Sequence, residues 1–232
     1  MHPRPRRAAL LAPAALLSLA LSMPLAAQSD GFESGTTEGW FAGGGPLGGV
    51  PPQPPTQVPD GGPGGVGDGY LLVTASGSAG PGGRLVAMNA SQWARNYLDD
   101  GIIGISMQVR NFGSTDVFLR LLFENPIPGP PTDIAVTAGF AVPGMSGWMP
   151  LFFSIRPGDL TAIAGDVNTA LATTTILRLY HSTDPVFPAT PFAAQIGVDD
   201  ITATTIPEPA TVLMFGTGLA MLAGVTRRRR TR

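Results

Sequence analysis

Two segments in the middle of this chain alternate apolar and polar residues with a period of two, and that period restricts what they can build. In "GIIGISMQVR" Ile103, Ile105, Met107 and Val109 fall on one face, with Ser106, Gln108 and Arg110 on the other. In "DVFLRLLFE" Val117, Leu119, Leu121 and Phe123 share a face in the same way. A strand with one apolar face must bury it against a second layer, so a two-layer β structure is expected. Further strand candidates are "GFES", "EGWFAG", "GYLLVTAS", "GRLVAM", "TDIAVTAGFA", "PLFFSI", "TTILRLYH" and "AQIGVDDITAT", separated by Gly, Pro, Asn and Asp. The sum is about ten short strands, the pattern of an all-β sandwich or jelly roll. One stretch departs from it: in "DLTAIAGDVNTALAT" Leu160, Ile163, Ala164, Val167 and Leu171 recur at helical spacing behind Asp159, predicting one short helix capped by that aspartate.

The strands occupy only the middle of the chain. Residues 43–69, "GGGPLGGVPPQPPTQVPDGGPGGVGDG", are too rich in glycine and proline for a helix or central strand and are expected to form a long loop. Gly62, Gly64 and Gly67 in it fit a dinucleotide-type glycine spacing. The strand before and helix after that this chemistry requires are missing, so the match is set aside. At the N-terminus Arg4, Arg6 and Arg7 precede an apolar stretch, Ala8 to Leu21, and then "PLAAQS". That order predicts a signal peptide over 1–27 with cleavage after Ala27. At the other end the run 210–226 has no charge and spans roughly 26 Å as a helix, enough for a transmembrane helix. Positive flanks resist translocation, so both arginine clusters sit on the cytoplasmic side and residues 28–205 are exported as one domain.

Removing the two ends changes the charge. Residues 28–205 hold six arginines against 15 acids, a net of −9, which argues against a nucleic-acid partner. Cysteine is absent, so the exported part has neither disulfides nor thiolate metal sites, and a core, with or without a cation, must hold it together.

Residues 206–232, "IPEPATVLMFGTGLAMLAGVTRRRRTR", place Pro207, Glu208 and Pro209 before the apolar run and Arg227, Arg228, Arg229 and Arg230 after it. This string resembles the PEP-CTERM sorting signal of Gram-negative bacterial exported proteins. The resemblance implies passage through the Sec export machinery, transient anchoring in the inner membrane, and processing by an exosortase in a cell that makes an exopolysaccharide matrix or biofilm. The alternative is a permanent tail anchor with a proline-rich neck. The body more loosely resembles laminin B-type domains, with their galactose-binding-like jelly roll, through "FESGTTEGW", "DGGPGGVGDGYLLV", "TILRLYH" and the closing "IGVDDITAT". That pattern usually closes on Asp-Asn, where this chain has Asp199-Asp200.

In such jelly rolls the first and last strands commonly lie side by side, which would bring Glu33 near Asp199 and Asp200. Strict alternation places Val198 and Asp200 on one face, so either a bulge turns Asp200 outward or it is buried and needs a partner. Glu33 and Asp200 are therefore candidate ligands for a structural Ca2+, with an acidic turn in water as the alternative. Trp40, Trp93 and Trp148 suit core packing or a sugar-stacking platform, and Trp93, beside Gln92 and Arg95, is the expected exposed one and candidate glycan contact. No catalytic residue is assigned. His181 is the only histidine outside the signal peptide and reads as a surface or turn residue, while "GMSGW" fails the nucleophile-elbow pattern at its last position. The expectation is a non-enzymatic, exported structural or adhesive β-sandwich at the cell surface or in the extracellular matrix. A carbohydrate-binding module is the alternative, and a polysaccharide-modifying hydrolase the third reading.

Overall fold

The structure, a computed structural model, describes residues 28–42, 54–80, 82–125 and 129–205. The predicted signal peptide, the sorting segment and its apolar run lie outside the described residues. Among the described residues thirteen strands follow in order: β1 (Ser29–Asp30), β2 (Trp40–Phe41), β3 (Thr56–Val58), β4 (Tyr70–Ser76), β5 (Val86–Asn89), β6 (Ile102–Asn111), β7 (Val117–Asn125), β8 (Asp133–Val136), β9 (Phe140–Val142), β10 (Met149–Ser154), β11 (Thr161–Ala164), β12 (Ile176–His181) and β13 (Ala193–Thr205). A single α-helix among the described residues, α1 (Val167–Ala172), precedes β12. Every strand pairing is antiparallel.

The strands form two sheets. Sheet A runs β10-β6-β13-β4-β3 with β1 also on β13, and sheet B runs β11-β8-β7-β12-β5-β2 with β9 also on β7. The alternating residues of β6 and β7 face each other across the interior. Ile105, Met107 and Val109 from one sheet and Val117, Leu119, Leu121 and Phe123 from the other are all buried in one cluster. The chain is thus an all-β sandwich of jelly-roll type, closed by its first strand pairing with its last through Ser29↔Thr202 and Asp30↔Ile201.

The count exceeds ten for three local reasons. "TDIAVTAGFA" splits into β8 and β9, a short β3 forms inside the proline-rich loop against β4, and β11 forms where helix was expected. That last difference has a clear cause. Thr161 and Ala162 pair with β8 as an edge strand, and Gly165 at φ +59 then turns the chain, which a longer helix could not pass through. The cap is Asp166, whose Oδ1 accepts the Thr169 N–H at 2.9 Å, not Asp159, whose backbone belongs to a separate 3-10 turn.

The outer face of sheet B is covered too. A second cluster of Leu122, Ile134, Val136, Tyr180 and Ala189 packs there with Phe187 and Ile163, so β7 is buried on both faces. Its charges are consumed internally: Arg120 donates to the carbonyls of Thr137, Ser182 and Thr183, and Glu124 pairs with Arg178.

Candidate functional site

Sheet A carries an acidic cluster on its outer face. After β1, Phe32 turns the chain at φ 64 and delivers Glu33; Asp68 ends the glycine-rich loop just before β4; Asp199 stands on β13 opposite Gln108. One carboxylate oxygen from each of Glu33, Asp68 and Asp199 lies within 4.8 Å of the others. Asp199 is fully buried. Its Oδ1 accepts the Asp200 N–H at 2.8 Å, and its Oδ2 has no hydrogen-bond partner among the described residues. Burial, reinforced by the nearby charges of Asp200, Asp68 and Glu33, pushes its carboxyl up to about 7. A buried carboxylate with one unpaired oxygen beside two further carboxylates is a costly arrangement in water alone and a suitable donor set for a hard cation.

The sequence paired Glu33 with Asp200; the structure instead brings Glu33 to Asp199 and Asp68. The register of β13 against β6 shifts between Asp199 and Thr202, and Asp200 at φ 50 points into solvent. This bulge decides which of the two aspartates faces the cluster. Asp68 escaped sequence reading because nothing in "GVGDGYLL" reveals that β4 pairs with β13. The discarded glycines also find their role here. The Gly64 N–H donates to Asp68 Oδ2 at 2.5 Å and the Gly62 N–H to the Asp68 carbonyl at 2.9 Å, so the loop wraps a carboxylate, not a phosphate.

Trp93 is not exposed, as its polar neighbours suggested. It is completely buried, its Nε1 donates to Asp30 Oδ2 at 2.6 Å, and Trp40 Nε1 donates to the same oxygen at 2.7 Å. A buried carboxylate on β1 therefore draws both indoles inward, and Trp93 offers no ring face to a glycan. Trp148 is the partly exposed tryptophan. It meets Tyr70 edge-on at 5.3 Å and donates from Nε1 to the Gly61 carbonyl, holding the loop over the sheet. Gly197 is the floor of this contact, because a Cβ there would sit 2.7 Å from the Trp148 ring.

His181 is also buried, inside β12, not on a surface turn. Its Nδ1 accepts the Phe118 N–H at 2.9 Å and its ring stacks on Phe192 at 4.1 Å. Burial depresses its proton affinity. The unfolded chain then binds the proton more readily than the native one, so the His181 contribution to stability falls as pH drops through the ordinary imidazole value of 6.5, opposite in sign to that of Asp199, whose raised carboxyl is protonated more readily in the native chain. His181→Asn, which keeps an acceptor but does not titrate, is expected to remove that acid-side loss, so that its melting temperature relative to the wild type rises from pH 7 to pH 5. An unchanged profile would show that the acid sensitivity lies elsewhere.

Residues 205–230 match the PEP-CTERM protein-sorting motif. The chain ends in an exosortase sorting signal. The signal begins at the last residue of β13, so the sandwich leads straight into it. No helix among the described residues is long and apolar enough to cross a membrane. No curated protein is similar enough in sequence to count as a relative. Among solved structures, an exo-β-agarase superposes with a TM-score of 0.52 at 9% identity, over 76% of this chain and 25% of that one. The CBM22-1 xylan-binding domain of Paenibacillus barcinonensis Xyn10C gives 0.46 at 18%, over 78% and 95%. The family 11 carbohydrate-binding module of Clostridium thermocellum, in complex with a β-1,3-1,4-mixed-linked tetrasaccharide, gives 0.49 at 10%, over 78% and 97%. At these identities the likeness is one of fold.

Proposed function

We propose that the protein is a non-catalytic structural or adhesive sandwich, exported, anchored briefly in the inner membrane, released by an exosortase and lodged in an extracellular polysaccharide matrix. The sorting motif joined directly to the closing strand carries this reading, since it commits the sandwich to the far side of the membrane. The chemistry of the body supports it. Five of the six arginines in residues 28–205 sit against protein groups: Arg84 on the Ala189 carbonyl, Arg95 on Asp100, Arg110 over Phe112, Arg120 on three carbonyls and Arg178 on Glu124. An acidic surface with all but one of its arginines engaged favours neutral polymers over polyanions. Glycan overlay with the processed protein tests the reading; silence toward every polymer of the producing cell's own matrix would refute it. The second reading, a carbohydrate-binding module, is favoured by the uncharged strip on sheet A taken up below.

In this reading Glu33, Asp68 and Asp199 hold a structural Ca2+, which would supply the cross-link that a cysteine-free exported domain lacks. Free Ca2+ at a hundredfold excess over its Kd would add about 2.7 kcal/mol, raising the melting temperature by about 5–10 °C. Asp199→Asn is expected to abolish the rise. A melting temperature indifferent to chelator would remove the cation from the proposal.

A further inference from the structure

Beside the acidic cluster and the Asp200 bulge, the outer face of sheet A carries a strip without charged side chains; the cation of this face, Arg110, stands further along β6 and lies over Phe112. The register sets its layout. Phe152 on β10 lies opposite Ser106 on β6, Ser106 opposite Thr202 on β13, and Thr202 opposite Ser29 on β1. The flanking residues of each strand are core: Leu151 and Phe153, Ile105 and Met107, Ile201 and Ala203, and Asp30. Alternation therefore sends Phe152, Ser106, Thr202 and Ser29 to the outer face in one row across four strands, with neighbouring strands about 4.8 Å apart. Gln108 and Thr204 extend the row to either side, and neither side chain takes a hydrogen bond among the described residues.

Phe152 is the aromatic of this strip and is 48% exposed. It reaches over Gly104, where a Cβ would come within 2.2 Å of its Cζ, so the missing side chain leaves the ring room to lie along the sheet. The β10–β6 ladder runs through six residue pairs without a register shift, which keeps this part of the face regular. The result is one exposed aromatic ring followed by hydroxyls and an amide along the sheet face.

We infer that this strip is a binding face for a neutral polysaccharide chain, the Phe152 ring packing on the apolar face of a sugar while Ser106, Thr202, Ser29 and Gln108 exchange hydrogen bonds with its hydroxyls. Charge decides the class of partner. A neutral polyol meets no like charge in this strip, whereas a polyuronate would approach an acidic body along a strip with no cation of its own, the neighbouring Arg110 being stacked on Phe112. A protein partner would call for a broader apolar centre than one ring. The inference rests on the matrix-associated reading above and names the surface through which it would act.

Affinity electrophoresis of the processed protein, purified from the exporting cells, tests it in gels containing xylan, mixed-linkage β-glucan or agarose, with alginate as the acidic counterpart. At least one neutral polymer is expected to retard the protein. Phe152→Ala should weaken that retardation at least about tenfold, Gly104→Ala should weaken it by displacing the ring, and Phe152→Tyr should keep it. Circular dichroism and melting temperature confirm that each variant is folded. Retardation that survives both Phe152→Ala and Gly104→Ala would overturn this face while leaving the matrix reading intact. Retardation by alginate alone would overturn the neutral partner. No retardation by any polymer would remove both. A dimer that depends on Phe152 in sedimentation, without glycan retardation, would assign the face to a second copy of the chain and overturn the inference.

Discussion

Asp30→Ala is expected to destabilise the sandwich by about 3–5 kcal/mol, a large part of the 5–15 kcal/mol that holds a domain of this size folded. Asp30 is 2% exposed and accepts from Trp40 Nε1 and Trp93 Nε1 on one oxygen, with Gln92 Nε2 at 3.1 Å and Gln28 Nε2 at 2.9 Å nearby. Alanine would leave two buried indole N–H groups without an acceptor, each costing about 1–3 kcal/mol, and would open space between β1 and β13. Asp30→Asn should cost less, since one oxygen remains to face the indoles, though its amide would meet the glutamine donors. Denaturant unfolding followed by tryptophan emission measures both. A loss below about 1 kcal/mol for alanine would mean that the indoles find water or another acceptor.

Replacing Glu208 should have the largest effect on where the protein goes. The sorting motif begins at Thr205, and its Pro207, Glu208 and Pro209 immediately precede the apolar run. Mass spectrometry of the mature protein is expected to show a C-terminus lacking Arg227 to Arg230. Glu208→Ala should leave most of the chain in the inner-membrane fraction with those arginines still attached. A wild-type protein that retains Arg230 would make the segment a permanent anchor.

The division between what was readable and what was not follows the range of the interactions. Period-two alternation is local, so β6 and β7, their inward residues and the two-layer class could be read directly from "GIIGISMQVR" and "DVFLRLLFE". The sorting signal was legible for the same reason, as a contiguous string at one end. The helix was misplaced because helical spacing in "DLTAIAGDVNTALAT" competes with edge-strand pairing to β8, a contact with residues almost thirty positions away. Trp93 was misjudged on its neighbours Gln92 and Arg95, since nothing near it announces that Asp30, 63 positions earlier, takes its N–H.

By itself, then, the sequence determined the class of fold and carried the sorting motif, while the resemblance to jelly rolls placed Glu33 near the Asp199-Asp200 pair. Tertiary structure alone decided that Asp199 and not Asp200 joins Glu33, that Asp68 completes the cluster, and that Phe152, not Trp93, offers a ring to solvent. The physical reason is register: a one-residue bulge reverses which side chain faces which side of a sheet, and it arises from pairing between distant strands, not from the residues at the bulge.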